Sequence, residues 1–384
     1  MKNRILFCAT VDYHFHAFHL PYLKWFKEQG WEVHVAASGD MNLPFVDKKY
    51  NIPIQRSPFK KQNVVAYQQL KAIIRQNQYS IMHCHTPMGG VLARLAANSF
   101  RKGGTRVIYT AHGFHFCKGA PLINWLIYYP IEKILSRFTD CLITINQEDY
   151  QLARNKRFKA KLIKHVHGVG VNTDLFKPVT NEEKNRIREK YGYNPNDFLM
   201  FYAAEFNKNK NQKLLIKSLA SIKNKIPNAK LLLAGEGPLI KACKELAARL
   251  EVQNMVDFLG FRKDIRELLN MSDIGVASSL REGLPVNIME TMASGLPVVA
   301  SRNRGHVELI THNINGWLID HDNLDEFALK LTMGVNDRDC ILVLGEKARE
   351  KMLAQYSINK VLEDMTTIYS QYMEEKEEMR WAVQ

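Results

Sequence analysis

Long apolar runs are absent from this sequence, which argues against a membrane-spanning chain. No stretch reaches the roughly 18 apolar residues that a membrane-spanning helix needs. The apolar run that begins at Ile5 is short and leads into the polar residues Asp12 and His14. We therefore interpret this run as a buried first strand and not as a signal peptide.

Cysteine is sparse, and its spacing argues against two kinds of site. The chain has 6 cysteines among 384 residues, and none of them forms a Cys-x-x-Cys pair. This pattern argues against a zinc site and against a disulfide framework, and it suits small buried hydrophobes in a reducing cytosol. Low-complexity tracts are also absent, and the length suits two domains of about 150 to 200 residues each.

Positive charge is unevenly distributed along the chain. Residues 1–170 contain 24 Lys and Arg against 9 Asp and Glu, whereas residues 171–384 contain 29 against 30. We therefore expect the first half to meet an anionic partner, which could be a phosphate-rich ligand, an anionic membrane or nucleic acid. A surface tuned only for solubility is the alternative.

Apolar strand-like runs alternate with helical patterns through both halves of the sequence. The predicted strands are 4–10, 31–38, 80–85, 105–111, 140–145 and 161–166, then 198–204, 230–234, 256–259, 273–277 and 297–300. Helical patterns include 17–29, 64–77, 338–354 and 358–376. This alternation predicts two α/β domains with parallel sheets and a boundary near residue 170. Ligands of such sheets bind at the carboxyl ends of the strands, so we expect a site in a cleft between the domains.

The segment after the strand at 273–277 carries the most informative pattern. Glu282 and Glu290 flank a predicted helix start at Pro285, a residue that the first helical turn tolerates. Eight helical positions amount to about two turns and a further 80°, so the two carboxylates do not share one face. The helix start behind Gly283 offers free N–H groups to a diphosphate, and both carboxylates can accept hydrogen bonds from sugar hydroxyls. A surface glutamate followed by a helix-dipole glutamate is the alternative.

Residues 282–299 resemble the signature of the family 4 retaining glycosyltransferases. That signature sets two glutamates, with seven residues between them, in Glu-Gly-x-Pro and Glu-Ala-Met-Ala-x-Gly-x-Pro-Val-Val, and Thr291 stands where alanine is usual. The resemblance continues through 233–238, 258–265 and 315–317 and covers nearly the whole chain. Segments 10–14, 83–90 and 109–115 look like the capsular and exopolysaccharide branch, close to EpsD-like enzymes.

This resemblance implies the GT-B fold, an α/β fold of two Rossmann-like domains that face a central cleft. Residues 1–170 would form an acceptor-binding domain, on which a C-terminal helix at about 358–380 packs, and residues 171–357 a nucleotide-sugar-binding domain. The implied reaction moves a sugar, expected to be an N-acetylhexosamine or a hexose, from a UDP-sugar to a lipid-linked saccharide. The expected acceptor is linked to undecaprenyl diphosphate, and the expected process is exopolysaccharide or capsule synthesis. A UDP-sugar 2-epimerase and a non-catalytic polyanion-binding protein are the alternatives.

The resemblance also implies roles for residues of the second half. Glu290 should bind the ribose hydroxyls of the nucleotide, and Glu282 should contact hydroxyls of the donor sugar. Four further positions should line the donor site: Gly283 and Leu284 through backbone amides, and Phe261 and Arg262 beside the uracil.

A loop after the strand at 198–204 supplies the expected cation. Lys210 matches the lysine of the family, a point charge suited to the departing diphosphate. Glu205 stands where the family has an arginine, and a carboxylate cannot neutralise a diphosphate. Lys208 or Arg281 could compensate for the missing cation. A solvated loop is the alternative interpretation of the two lysines.

Histidine is abundant in the first half, where 8 of the 13 histidines lie within the first 115 residues. The resemblance implies that His112 contacts the donor sugar, and we count it as catalytic together with Glu282 and Lys210. We expect His14, His16 and His85 to end strands of the same sheet and to line an acceptor pocket. No pair shows a convincing context for metal ligands, and the family needs no metal, so we predict neither a metal nor another cofactor.

Membrane contact is predicted from two segments of the first half. Residues 122–138 are aromatic and apolar with few charges, and residues 154–164 are rich in Lys and Arg. This combination suits peripheral docking of a cytoplasmic protein on the anionic inner face of the plasma membrane. A buried crossover helix beside a solvated charged face fits the same pattern. We predict no nucleic-acid partner.

Overall fold

The computed structural model describes residues 3–320 and 323–381, which form two compact units. Unit 1 contains the described residues up to Val169 together with those from Val361 onward. Unit 2 runs from Gly170 to Lys360, so it is inserted between two parts of unit 1. In the described ranges, no helix is both long enough and apolar enough to cross a membrane.

Unit 1 is built on a parallel sheet with the strand order β3-β2-β1-β4-β5-β6-β7. Its strands are β1 (Arg4–Val11), β2 (Glu32–Ser38), β3 (Lys48–Asn51), β4 (Ile81–His85), β5 (Arg106–Ala111), β6 (Cys141–Thr144) and β7 (Leu162–His165). Its helices are α1 (Tyr13–Phe18), α2 (Leu20–Glu28), α3 (Gln62–Asn77), α4 (Pro87–Ala97), α5 (Leu122–Leu135) and α6 (Gln147–Asn155). The adjacent strands run parallel, and most of the connections between consecutive strands contain a helix; β2 and β3 are joined by a loop alone.

The central strand β1 has apolar residues on both faces because helices cover both faces of its sheet. Leu6 and Cys8 belong to one buried core, which includes residues of α3 and α4. Ile5 and Phe7 point the other way, since successive side chains of a strand alternate, and belong to a second core that includes residues of α2. This double burial explains why β1 appears in the sequence as a continuous apolar run.

The second core of unit 1 is completed by α15 (Ile358–Trp381), the last helix of the chain. Five buried side chains of this helix join it: Val361, Met365, Ile368, Tyr369 and Tyr372. The Tyr369 hydroxyl lies 2.7 Å from Nδ1 of His83 on β4, and both groups are buried. Residues from the end of the chain therefore fill the core that its first strand begins.

A buried ion pair joins α4 to α5 in unit 1. The Arg94 guanidinium donates to both carboxylate oxygens of Glu132, at 2.8 and 3.1 Å, and it lies over the ring of Tyr109, 3.8 Å from its centroid. Burial lowers the pKa of Arg94, but the charges of Glu132 and Tyr109 outweigh it and raise the pKa overall. Removal of one partner would leave the other charge buried without its counter-charge.

We expect Arg94→Met to lower the free energy of unfolding by about 3 to 5 kcal/mol, since Glu132 would keep a buried charge. The double variant Arg94→Met/Glu132→Gln removes both charges and should recover most of this loss. Urea denaturation of the two variants checks the prediction. A loss below about 1 kcal/mol in the single variant would contradict it.

Unit 2 is built on a second parallel sheet with the strand order β10-β9-β8-β11-β12-β13. Its strands are β8 (Phe198–Ala203), β9 (Ala229–Ala234), β10 (Val256–Gly260), β11 (Ile274–Ala277), β12 (Val298–Ser301) and β13 (Gly316–Ile319). Its helices are α7 (Asn181–Tyr191), α8 (Gln212–Ile222), α9 (Ile240–Arg249), α10 (Ile265–Met271), α11 (Val286–Ala293), α12 (Arg304–Leu309), α13 (Leu324–Asn336) and α14 (Arg338–Lys351). A large apolar core includes residues of its strands and of most of its helices.

The predicted class, α/β with two Rossmann-like parallel sheets, is confirmed, and two local predictions are wrong. The helix predicted over 17–29 is two helices, α1 and α2, that meet at His19. His14 and His16 do not end a strand; they lie in α1, because β1 ends at Val11 and a helical turn follows at once.

Candidate functional site

Two loops of unit 2 meet where strands β8 and β11 end. The two strands are parallel neighbours, so their carboxyl ends lie at the same edge of the sheet. The backbone N–H of Leu280 donates to the carbonyl of Asn209 at 2.8 Å, and the Asn209 side chain donates to the carbonyl of Arg281 at 2.9 Å. The Ser278 hydroxyl donates to the carbonyl of Lys210 at 2.7 Å. These bonds fix the loop that carries Lys210 against the loop that carries Glu282.

Lys210 and Glu282, both predicted to act in catalysis, form an ion pair. The Nζ of Lys210 lies 2.5 Å from Oε1 of Glu282, and the side chains are only 22% and 14% exposed. The sequence placed both residues at the donor site but did not predict this pairing. The pair places one positive and one negative charge at the carboxyl edge of the sheet, beside the loop that leads into α11.

Arg304 is a cation near this loop that the sequence interpretation missed. Its Nε donates to the backbone carbonyl of Glu282 at 3.0 Å. The next residue, Gly305, packs so closely that an added Cβ would lie 2.7 Å from the Cβ of Glu282. The sequence did contain a signal for this residue. Arg302 and Arg304 flank Asn303 directly after β12, and this strand ends at the same edge of the sheet as β8 and β11.

The residue at the position of the missing arginine, and the two cations considered as its substitutes, are all exposed. Glu205 is exposed and accepts a hydrogen bond from Asn207 at 3.0 Å. Lys208 and Arg281, which we considered as substitutes for the missing arginine, are both exposed. Arg304 is half-buried and contacts the Glu282 loop directly. Of Lys208, Arg281 and Arg304, Arg304 is therefore the best candidate for the missing cation.

Helix α11 begins at Val286, and Pro285 is its N-cap, so the predicted start differs by one residue. The Asn287 side chain donates to the carbonyl of Ala203 at 2.8 Å, which ties the first turn to the end of β8. Gly283 and Leu284 lie in the bend between Glu282 and this helix. The free N–H groups of the first turn thus follow directly after the Lys210–Glu282 pair.

Glu290 lies in the second turn of α11. Burial raises the pKa of its carboxyl group to about 7, well above the ordinary value of a glutamate. Burial causes this rise of the pKa, and no opposite charge among the described residues offsets it. A group that donates hydrogen bonds to this carboxylate would therefore be bound more strongly than in water.

Phe261 and Arg262 follow β10 at the same edge of the sheet. Phe261 is 70% exposed, whereas the Nε of Arg262 donates to Oδ1 of Asp264 at 2.8 Å. This bond raises the pKa of Arg262. The backbone N–H of Gly235 donates to the carbonyl of Gly260 at 2.7 Å, which joins the loops after β9 and β10.

Four histidines of unit 1 converge at the carboxyl edge of its sheet. They are His14, His19, His85 and His112, and one ring nitrogen of each lies within 4.8 Å of the others. We call this group the histidine cluster. The predicted acceptor residue His16 is exposed and lies outside it. The sequence interpretation gave His19 no role, because its place in the cluster depends on the turn between α1 and α2.

Helix α5, which covers most of the apolar segment 122–138, presents large apolar side chains to solvent. Leu122 is 81% exposed and Leu126 is 72% exposed. Ile123, Ile131 and Ile134 are exposed as well. A groove with a volume of about 420 Å³ is lined by residues of three helices, among them Tyr67, Leu92 and Ile131. Helix α5 is therefore not fully buried in unit 1.

Two family models match the chain. Residues 183–375 match the model described as glycosyl transferases group 1, and residues 4–146 match the model described as glycosyl transferase 4-like. The first match lies mainly in unit 2 and contains the Lys210–Glu282 pair. The second lies in unit 1 and contains the histidine cluster.

Curated relatives and solved structures match nearly the full length. A protein of Bacillus subtilis (strain 168), named EpsD and classed by its name as a glycosyltransferase, is 52% identical over 97% of this chain and 98% of its own. An Escherichia coli protein named UDP-Gal:alpha-D-GlcNAc-diphosphoundecaprenol alpha-1,3-galactosyltransferase is 27% identical over 78% of this chain and 77% of its own. The structure of HepE from Anabaena in complex with UDP has a TM-score of 0.78 and 20% identity, and covers 97% of this chain and 100% of its own. The chain shares the fold of that structure.

Proposed function

The chain belongs to the group 1 glycosyl transferases and has the GT-B fold, and on this premise we propose that it transfers a sugar from a UDP-sugar to a lipid-linked saccharide with retention of configuration. The transfer would serve synthesis of a bacterial exopolysaccharide or capsule. The donor sugar would be an N-acetylhexosamine or a hexose.

The observation that carries this proposal is the Lys210–Glu282 ion pair in front of helix α11. A nucleotide sugar combines hydroxyl groups, which carboxylates bind, with a diphosphate, which cations and helix N-termini bind. Glu282 would accept hydrogen bonds from the sugar. Lys210, whose Nζ lies 2.5 Å from Oε1 of Glu282, would contact the diphosphate. Glu290 would hold the ribose from within the same helix.

The reaction would break the bond between the anomeric carbon and the diphosphate oxygen. Lys210, Arg304 and the first N–H groups of α11 would stabilise the negative charge that develops on the leaving diphosphate, without a metal ion at that position. The acceptor hydroxyl would attack the same face of an oxocarbenium-like sugar, and the departing phosphate would take its proton. Glu282 would not act as a nucleophile, because its carboxylate is engaged by Lys210. The contact of His112 with the donor sugar stays a prediction.

Two comparisons support the choice of substrates. HepE was solved with UDP, and the name of the Escherichia coli relative specifies UDP-galactose as donor and a diphosphoundecaprenol-linked sugar as acceptor. A thermal-shift screen of UDP-sugars should therefore find one that stabilises the protein. The same radiolabelled sugar should then pass into the lipid fraction of added membranes.

The transfer experiment also separates the alternatives. A 2-epimerase would return a labelled nucleotide sugar of changed configuration and would leave the lipid unlabelled. Tight binding of nucleic acid without binding of any nucleotide sugar would contradict the proposal. Glu290→Ala, checked for an unchanged circular dichroism spectrum, is the variant that should abolish transfer.

We propose that the exposed face of α5 contacts the membrane that holds the acceptor. Its leucines and isoleucines would enter the interfacial region of the bilayer. Exposed basic residues of unit 1, such as Lys60, Lys61, Arg154 and Lys156, would meet anionic headgroups. This placement would bring the enzyme to the cytoplasmic face, where an undecaprenyl-diphosphate acceptor is anchored.

The double variant Leu122→Ser/Leu126→Ser should weaken binding to phosphatidylglycerol-rich vesicles by at least about tenfold. Each leucine side chain that is no longer buried in lipid should weaken the free energy of membrane binding by about 1.5 kcal/mol or more. Vesicle co-sedimentation measures the effect. Leu342→Ser/Val343→Ser is the matched control, because these residues of α14 in unit 2 are 63% and 55% exposed. Equal binding by both double variants would disprove this contact.

A further inference from the structure

The histidine cluster is assembled from four separate parts of unit 1. His14 lies in α1, His19 between α1 and α2, His85 at the end of β4 and His112 directly after β5. The Nε2 atoms of His14 and His19 are 3.0 Å apart, and Nδ1 of His85 is 3.3 Å from Nε2 of His112. Nitrogen ligands that each lie roughly 2 Å from a tetrahedral metal ion are separated from one another by similar distances.

The cluster differs from a neighbouring histidine that is purely structural. His83 is also buried, and both of its ring nitrogens have partners, the hydroxyls of Tyr369 at 2.7 Å and Thr110 at 2.8 Å. By contrast, Nδ1 of His19 and Nε2 of His85 are buried without a hydrogen-bond partner among the described residues. The nitrogens of these two rings that do have a contact, Nε2 of His19 and Nδ1 of His85, meet only other histidines of the cluster, which is where an ion would lie.

A small cavity lies at the cluster. It is lined by twelve residues, among them His19, His85 and His112, and its volume of about 10 Å³ leaves room for about one water-sized atom. The rings of Phe7 and Phe15 lie within about 6 Å of the ring of His85 and shield this side from solvent. His14 and His112 are only partly buried, so the cluster is accessible from one side.

We propose that the histidine cluster binds one divalent transition-metal ion of the zinc type. Neutral imidazole suits Zn²⁺, Ni²⁺, Cu²⁺ and Co²⁺, whereas the lack of a carboxylate in the cluster disfavours Mg²⁺ and Ca²⁺. This inference goes beyond the proposed function and departs from the sequence-based prediction of no metal. In this proposal His112 is a metal ligand, in place of the contact with the donor sugar that the family resemblance implies.

Cobalt titration of the full-length protein, without a polyhistidine tag and after chelator treatment, tests the proposal. Co²⁺ should bind at one ion per chain and produce the visible absorption of four-coordinate cobalt, and Zn²⁺ should displace it. His14→Ala and His112→Ala, at the less buried positions, should each weaken binding by at least about a hundredfold, since even an outer-shell partner costs ten- to a hundredfold. His16→Ala, an exposed histidine of the same helix α1, should bind cobalt like the wild type.

Thermal denaturation provides the second measurement. Zn²⁺ should raise the Tm of the wild type and of His16→Ala but not of the two cluster variants, because an ion that binds only the folded state stabilises it. Absence of the visible absorption, or an unchanged spectrum in both cluster variants, would overturn the proposal. These readouts do not involve sugar transfer, so they stand apart from the outcome of the transfer experiment.

Discussion

Lys210→Met should lower kcat by about 10² to 10³ with little change in the fold. The loss of one charge aimed at a developing anion costs a factor of this size in other enzymes. Here the variant would also leave the carboxylate of Glu282, only 14% exposed, beside the diphosphate without its cation. Steady-state kinetics with saturating donor measures the effect. Lys208→Met, an exposed lysine of the same loop, is the control and should stay within about threefold of the wild type.

The double variant Lys210→Met/Glu282→Gln separates two explanations of that loss. If Lys210 serves only to neutralise Glu282, removal of both charges should restore most of the activity. If Lys210 meets the leaving diphosphate, the double variant should stay as slow as the single one. We expect the second result, and recovery to within about tenfold of the wild type would disprove the role proposed for Lys210.

The affinity for the UDP-sugar should rise with pH and level off above pH 7. The ionised form of Glu290 accepts the ribose hydroxyls, and burial raises its pKa to about 7 in the free protein. Below that pH, each further unit should weaken binding by up to about tenfold, because a proton must leave before the donor binds. Calorimetry from pH 5.5 to 8.5 measures this slope. Glu290→Gln should bind more weakly and show no such slope, and a parallel slope in the variant would exclude Glu290 as its source.

The contribution of Glu290 to the stability of the free protein should fall as the pH rises, whereas its contribution to donor affinity rises. The pKa of this carboxyl group is raised in the folded protein relative to about 4.3 in an unfolded chain. Its contribution is therefore complete below about pH 4.3 and is lost as the pH rises to about 7. Across this window Glu290→Gln should gain up to about 3 kcal/mol of unfolding free energy relative to the wild type. Denaturant unfolding at pH 5 and pH 8 compares the two proteins.

The sequence predicted the strands that are buried on both faces and missed two strands at the sheet edges. Strands such as β1 and β8 are continuous apolar runs because helices cover both sides of their sheets. β3 is Lys-Lys-Tyr-Asn and lies at one edge of its sheet, where polar side chains stay hydrated. β13 has only four residues and lies at an edge of the other sheet. β3 lacks the double burial that produces the pattern, whereas β13 is buried but very short; the other two edge strands, β7 and β10, were predicted.

The candidate site was predictable residue by residue but not as a set of contacts. The motif around Glu282 and Glu290 indicated the donor site, and the position of Lys210 after a strand indicated a cation. Their ion pair follows from the placement of β8 beside β11, an order that local patterns do not contain. The same limit applies to His19, which only the turn between two short helices brings to His85. Arg304 was missed because the residues that follow β12 were given no role.

The course of the chain through the two units has a consequence for synthesis on the ribosome. Ile5 and Phe7 are made well before the side chains of α15 that share their core. The contiguous unit 2 can fold as soon as Lys360 has emerged, whereas part of one face of the first sheet stays uncovered until α15 has been made. The nascent protein therefore carries an open apolar surface while unit 2 is being made, and chaperones can bind such a surface. A premature stop codon before Val361 would make that surface permanent.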